Sequence, residues 1–448
     1  MQSSIMENQN QDVTPDSNAK PKRNRRPSKR PRKAQGKASN TSKDTAKSAQ
    51  GVWSIDDFQV PELEGKLRFH DLNLPDRVLK SIAEMGFEYC SEIQAETLPT
   101  TLQGYDIIGQ AQTGTGKTAA FLIAMISDFL DYPIEEDRAN NLARGLIIAP
   151  TRELALQIAD EAVKLTANCH LNVVSLVGGL SYERQKQALL TENVDILVAT
   201  PGRLLDFARS RKVLLNKVEC LVLDEADRML SMGFIPDVKS IIRMTPYKES
   251  RQTMLFSATF PKDIQALAKQ WTFFPREVSV VPKETTNKNI EQIIYTVEAE
   301  QKWPVLKQLI EENGEQRTII FANRRDETRD LFERLKMEKI NCAILSGEVS
   351  QDKRVKTLKN FKDGKIQVLV ATDVAGRGIH VDNVELVVNY ALPEDPEDYV
   401  HRIGRTGRGG ESGKSVSFAS EDDAFMIPEI EKTVGESIRC EYMVDASK

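Results

Sequence analysis

Ala111-Gln112-Thr113-Gly114-Thr115-Gly116-Lys117-Thr118 stands between a short apolar run, residues 106–109, and a long helical pattern that begins at Lys117. A glycine-rich turn between a strand and a helix is the context that a phosphate-binding loop needs. The glycines let peptide N–H groups point inward, and the helix N-terminus adds partial positive charge. Lys117 can reach the outer phosphates of a nucleotide, and the Thr118 hydroxyl can ligate Mg²⁺. Ala111 stands where loops of this type usually open on glycine, so the loop is a slight variant. Read alone, the stretch is also compatible with a plain glycine-rich turn.

Working outward, apolar runs recur at residues 145–149, 173–177, 195–199, 220–223 and 253–256. Each has few polar interruptions, as expected of strands covered on both faces of a parallel sheet. Helical patterns lie between them, for example from Lys117 and from Glu153 to about Leu165. A polar stretch, residues 283–288, breaks the series. A second one follows at 292–297, 318–321, 342–345, 367–370, 386–389 and 415–418. Alternation of this kind predicts α/β architecture in two units: domain 1 over 67–282, a linker at 283–290 and domain 2 over 291–440.

Residues 1–55 read differently. The first 50 carry twelve basic and four acidic side chains, +8, which leaves −13 on the rest of a chain whose net charge is −5. With almost no large apolar residue they cannot offset the entropy of ordering, so a disordered basic tail is expected. No apolar run approaches the roughly 18 residues of a membrane helix, and the N-terminus lacks a secretory signal pattern. The five cysteines are far apart and form no CxxC pair. That pattern suits free thiols and a cytoplasmic location rather than disulfides or a zinc cluster.

Two further constellations carry chemistry. Asp224-Glu225-Ala226-Asp227 directly follows the run 220–223, and ligands of doubly wound sheets bind beyond the carboxyl ends of the strands. Asp224 suits a metal held through water, and Glu225 a base that orients and deprotonates an attacking water. His401-Arg402-Ile403-Gly404-Arg405-Thr406-Gly407-Arg408 offers cations, which phosphoryl transfer needs on the charge of its transition state. It lies in the second unit, so hydrolysis would require the two units to close.

Taken together, these residues resemble the DEAD-box ATP-dependent RNA helicases. Pro150-Thr-Arg-Glu-Leu-Ala155, Gly178-Gly179, Thr200-Pro-Gly-Arg203, Ser257-Ala-Thr259 and Arg377-Gly-Ile379 also fall in the family order. The resemblance runs from about Phe69 to the C-terminus. It implies two tandem RecA-like domains with parallel sheets flanked by helices. It also implies RNA-stimulated ATP hydrolysis that separates short RNA duplexes locally.

By the same resemblance, Gln94 reads the adenine edge, Phe69 stacks on the base, and Gln112 through Thr118 cradle the phosphates. Lys117, Asp224, Glu225, Arg405 and Arg408 are then catalytic, and Thr118 and Asp224 hold Mg²⁺. RNA contacts fall on Thr151, Arg152, Gly178, Gly179, Thr200, Arg203, Asn323, Arg324, Arg354 and Thr372. The hydroxyls of Ser257-Ala-Thr259 are expected on the acidic motif, and His401 and Arg402 in a network between domains. His380 stands where many members have a ribose-binding aspartate, so a retuned ribose contact is expected there. Gly376-Arg-Gly-Ile-His380, Leu392-Pro-Glu-Asp-Pro396 and Cys90 before Ser91 resemble a bacterial member of the RNA degradosome. That likeness implies the endoribonuclease RNase E as a partner of a chain otherwise monomeric.

Overall fold

The computed structural model describes residues 53–112, 114–134, 138–191, 193–280, 289–347, 349–373, 384–407 and 412–442. Within them lie two seven-stranded sheets in which every paired strand is parallel. The first contains β1 (Ile107–Ala111), β2 (Gly145–Ile148), β3 (Val173–Leu176), β4 (Ile196–Ala199), β5 (Cys220–Leu223), β6 (Gln252–Ser257) and β7 (Arg276–Val280), ordered β3-β4-β2-β5-β6-β1-β7. The second contains β8 (Ile290–Thr296), β9 (Thr318–Ala322), β10 (Cys342–Leu345), β11 (Val368–Thr372), β12 (Leu386–Asn389), β13 (Gly413–Ala419) and β14 (Arg439–Tyr442), ordered β10-β11-β9-β12-β13-β8-β14.

The central strands are Val, Ile and Leu runs buried on both faces, because helices cover each side. The twelve expected strands all form, three of them (β5, β10 and β12) with the expected ends. Two strands escape the apolar pattern. β7 and β14 are sheet edges with largely exposed side chains, so neither carries a continuous hydrophobic run. Ile290 already belongs to β8, which corrects the expected linker of 283–290: the second lobe begins by Asn289–Ile290. Residues 283–288 and the expected basic tail up to Val52 lie outside the described residues.

Parallel order decides where function sits. All strands of a lobe end at one edge of its sheet, so the loops after them share that edge. In the first lobe these loops carry the glycine-rich stretch after β1, Thr151 after β2, Gly178 after β3, Thr200 after β4, Asp224 after β5 and the Ser257 segment at the end of β6. The lobes meet at an ion pair: Nε of Arg354, on the helix Gln351–Lys362, donates to Glu153, on the helix Arg152–Thr166, at 2.8 Å, both side chains about nine-tenths buried.

Candidate nucleotide and RNA site

A cavity of about 820 Å³ opens at the carboxyl edge of the first sheet, lined by Gln94, Gly114 to Ala119, Asp224 and Glu225 among others. Lys117, the first residue of the helix Lys117–Asp131, is buried and donates from Nζ to the Ala111 carbonyl at 2.7 Å. Gly116 sits at φ +93°, and a Cβ there would lie 2.5 Å from Nε2 of Gln94. Only glycine permits both the turn and this close approach. Thr113 lies outside the described residues; Gln112 is described at the mouth of the loop.

Gln94 is tied on both sides of its amide. Its Oε1 accepts from the Ser91 peptide at 2.9 Å, closing a capping box at the helix Glu92–Thr101, and its Nε2 donates to the Gly116 carbonyl at 3.0 Å. One N–H and one lone pair remain, which is the donor–acceptor pair that an adenine edge requires. Phe69 requires a correction. Its ring is fully buried in the core beside Leu72, Val78 and Ile93, and it does not line the cavity. The short turn Phe69–Leu72 directs it inward. The aromatic residues that do line the cavity are Phe87 and Tyr89. Cys90 lines it too, and burial pushes its thiol up to about 12, which keeps it uncharged.

The acidic motif is built by strain and burial. Asp224 follows β5 and is 2% exposed; burial raises its carboxyl to about 6, with Lys117 pulling the other way and Glu225 adding to the rise. Glu225 adopts left-handed backbone, φ 53° and ψ 53°, which costs a non-glycine residue about 1–2 kcal/mol. Strain of this kind is found at functional sites. Its carboxylate accepts from Nη1 of Arg228 at 2.9 Å. Asp227 faces the Ser257 segment: its Oδ2 accepts from the peptides of Ala258 and Thr259 at 3.1 and 2.8 Å and from the Thr259 hydroxyl at 3.1 Å. The Asp227 peptide in turn donates to Ser257 Oγ at 3.1 Å. The acidic motif and the segment after β6 are thus one hydrogen-bonded unit.

Gln157 and Glu161 are among the lining residues that the sequence reading missed. Both lie on the helix Arg152–Thr166 and face the cavity. Burial raises the Glu161 carboxyl to about 7, Lys164 opposing and Asp224 adding to the rise. The available signal was spacing: Glu153, Gln157 and Glu161 repeat every four residues, one polar stripe on a helix.

The expected RNA residues divide between the lobes. Thr151 caps its helix, accepting from the Leu154 peptide at 3.3 Å, and the Arg152 guanidinium lies beside Gly178. Gly179 takes φ +79°, and Nη1 of Arg203 donates to the Leu180 carbonyl at 3.3 Å. Thr200 stands at the N-terminal boundary of the helix Pro201–Arg209, without a side-chain cap hydrogen bond. The first-lobe set is therefore gathered on adjoining loops.

In the second lobe, Asn323 is engaged within the lobe, donating to the Leu392 carbonyl at 2.8 Å and accepting from Arg402 at 2.7 Å. Arg324 is exposed, Thr372 ends β11 and is buried, and Arg354 holds Glu153 across the lobes. Arg402 contacts Asp373, Asn323, Asn389 and the Ala391 carbonyl, described residues of its own lobe. His401 sits 3.9 Å from Asp398, again in one lobe. Arg405 is 2% exposed and donates to the His401 carbonyl at 3.1 Å. Among the described residues, those lining the cavity come from the first lobe. Arg408 and His380 lie outside the described residues.

The chain is similar to known proteins over most of its length. Residues 91–267 match the family "DEAD/DEAH box helicase", and residues 301–410 match "Helicase conserved C-terminal domain". The chain is 54% identical over 378 residues to the ATP-dependent RNA helicase RhlB of Pseudomonas aeruginosa, covering 84% of this chain and 95% of that protein. It is 46% identical over 371 residues to RhlB of a Shewanella species, covering 83% and 84%. Among solved structures, S. cerevisiae Dbp5 bound to RNA and ADP BeF3 superposes with a TM-score of 0.74 at 31% identity, covering 84% of this chain and 95% of that one. Mss116p bound to single-stranded RNA and AMP-PNP reaches 0.77 at 31% identity, covering 86% and 82%. On these matches, and on the cradle and acidic motif that its own fold brings together, this chain belongs to the DEAD-box family of ATP-dependent RNA helicases.

Proposed function

We propose that the first lobe binds ATP through Lys117, Thr118 and the peptides of 112–116, and that Glu225 orients and deprotonates the attacking water. The observation that carries this reading is the single cavity edge on which Lys117, Thr118, Asp224 and Glu225 converge. A hydroxyl, a buried carboxylate and room for phosphate oxygens and waters form a donor set that suits Mg²⁺. The ion would be held by Thr118 and, through water, by Asp224, and it supplies charge neutralisation at the β- and γ-phosphates. Gln94 offers its remaining donor and acceptor to adenine, and Phe87 and Tyr89 supply the apolar wall.

RNA lies against Thr151, Arg152, Gly178, Gly179, Thr200 and Arg203, with Arg324, Asn323, Arg354 and Thr372 on the second lobe. Glycines let peptides approach phosphates, and guanidinium groups bond them bidentately, so the grip does not depend on sequence. Closure of the lobes brings Arg405 and Arg408 to the terminal phosphate, and His380 to the ribose. ATP and RNA then favour one closed state, and hydrolysis releases it. From the family resemblance we infer a place in bacterial RNA degradation, in the cytoplasm, with RNase E as the partner of a helicase that is monomeric alone; the identity to ATP-dependent RNA helicases RhlB supports the helicase itself. Among the described residues no helix is long and apolar enough to cross a membrane.

Steady-state ATP hydrolysis with oligouridine tests the site. Glu225→Gln should lower kcat by about 10²–10⁴ while keeping ATP and RNA binding. Retained turnover in that variant removes the base from Glu225. Pulldown of RNase E with and without residues 1–50 tests the partner; no capture in either case removes it.

A further inference from the structure

Tyr182 opens the helix Tyr182–Thr191, three residues after Gly179, and its ring is held by groups from the neighbouring helix Pro201–Arg209 and the turn that follows it. Phe207, itself fully buried, packs on it with ring centroids 4.4 Å apart. The Arg203 guanidinium lies 5.6 Å from its centroid. The Lys212 ammonium lies 4.6 Å from the centroid and donates to the phenolic oxygen at 2.6 Å. Lys212 is delivered by a bend: Arg211 takes φ +54°, and the Lys212 peptide closes the turn on the Phe207 carbonyl at 2.9 Å. A cation over an aromatic face is attracted by the ring quadrupole, and this ring holds two.

We infer that Tyr182 is a positioning residue for RNA: its ring clamps the Gly178-Gly179 loop to the helix of Arg203, so that the glycine peptides and the guanidinium meet one phosphate run in register. Arg203 already donates to the Leu180 carbonyl. Tyr182 adds the second tie, which leaves the guanidinium one orientation relative to the glycine loop. Binding then costs less ordering, because the two grips are pre-set before RNA arrives. Tyr182 touches no phosphate itself. The inference rests on the reading that Gly178, Gly179 and Arg203 contact RNA.

The test is RNA-stimulated ATP hydrolysis by the full chain, with single-stranded oligouridine as the titrant. Tyr182→Ala should raise the KM for RNA about tenfold, the scale of losing aromatic and cation–π contacts together, with kcat at saturating RNA unchanged. Tyr182→Phe keeps the ring and should stay within about twofold, and Lys212→Met should fall between the two. In an Arg203→Ala background, Tyr182→Ala should add nothing, because both act through one group. Parent-like KM in Tyr182→Ala, with a raised KM in Arg203→Ala, overturns the role of Tyr182. Unchanged KM in Arg203→Ala overturns the underlying RNA reading instead. A kcat loss at constant KM marks Tyr182 as merely structural and also overturns the proposal. Should Tyr182→Ala fail to fold, Lys212→Met decides: a parent-like KM there sinks the clamp.

Discussion

The two sheets repeat one strand order, β3-β4-β2-β5-β6-β1-β7 and then β10-β11-β9-β12-β13-β8-β14, yet the loops after their matching strands β1 and β8 differ. After β1 comes a glycine loop and a helix that begins with Lys117. After β8 comes a glycine-free turn, Ala299–Gln301, and a helix that begins with Lys302. Both lysines are buried. Lys302 is held inside its lobe, 3.9 Å from Asp423 and 5.9 Å from the Tyr390 ring centroid. The position after β5 is Asp224, and the matching position after β12 is Tyr390. One architecture thus supplies a common edge twice, and a handful of side chains distinguish the proposed nucleotide edge of the first lobe from the matching edge of the second.

The sharpest test of this division uses two glycines. Gly116→Ala places a methyl 2.5 Å from Nε2 of Gln94 on a backbone at φ +93°. Nucleotide affinity should fall by about 100-fold or more, some 2.7 kcal/mol. Gly413, the first residue of β13, is an equally tight glycine of the second lobe: a Cβ there would lie 2.1 Å from the Thr406 hydroxyl and 2.5 Å from the Gly407 nitrogen. Gly413→Ala should therefore displace the segment that follows Arg405, lowering kcat while nucleotide affinity holds. Fluorescent-nucleotide titration beside steady-state hydrolysis separates the two. Equal loss of affinity in both variants would break the comparison.

A second test addresses the ion pair between Arg354 and Glu153, which crosses between the lobes. Arg354 was expected on RNA, and the structure gives its guanidinium to Glu153 at 2.8 Å. Breaking a pair buried this deeply leaves an uncompensated charge. Arg354→Gln and Glu153→Gln should each weaken oligouridine binding about tenfold, with coupling of roughly 0.5–3 kcal/mol in the double variant. If Arg354 served RNA alone, Glu153→Gln would leave RNA affinity at the parent value.

Much of this was legible before any coordinates. The central strands showed because burial on both faces forces unbroken runs such as Cys220–Leu223. β7 and β14 did not show, because an edge strand with exposed side chains carries no such run. The cradle and the acidic motif were readable since their chemistry demands fixed residue types at short spacing. Phe69 misled because an aromatic near a site reads the same whether it faces the ligand or the core; here a short turn sends it inward. The pairing of Arg354 with Glu153 went unread for a related reason, since a guanidinium suits a phosphate and a buried carboxylate equally. Glu161 went unread because Asp224 is distant in sequence and comes near only when the helix Arg152–Thr166 packs against β3, β4 and the helix Lys117–Asp131.

Glu161 supplies the smallest and most selective effect. Its carboxyl is raised from 4.5 to about 7, and that of Asp224 from 3.8 to about 6, burial being the first cause of each. A carboxyl whose folded-state pKa exceeds its unfolded value keeps a proton in the fold that the unfolded chain releases. The stabilisation is complete below the unfolded pKa and is lost as pH rises through the folded one. The first lobe should thus lose stability between about pH 4.5 and 7 from Glu161, over and above the share from Asp224. Glu161→Gln removes that dependence by making the group neutral at every pH. Relative to the parent, the variant should melt at the same temperature near pH 4.5 and a few degrees higher at pH 8. In the second lobe Glu327 and Glu397 are raised as well, burial again first, so a melt that follows each lobe separately is required. The effect of Glu161→Gln must appear in the first-lobe transition alone; a parallel shift in both would show that the two lobes unfold as one unit.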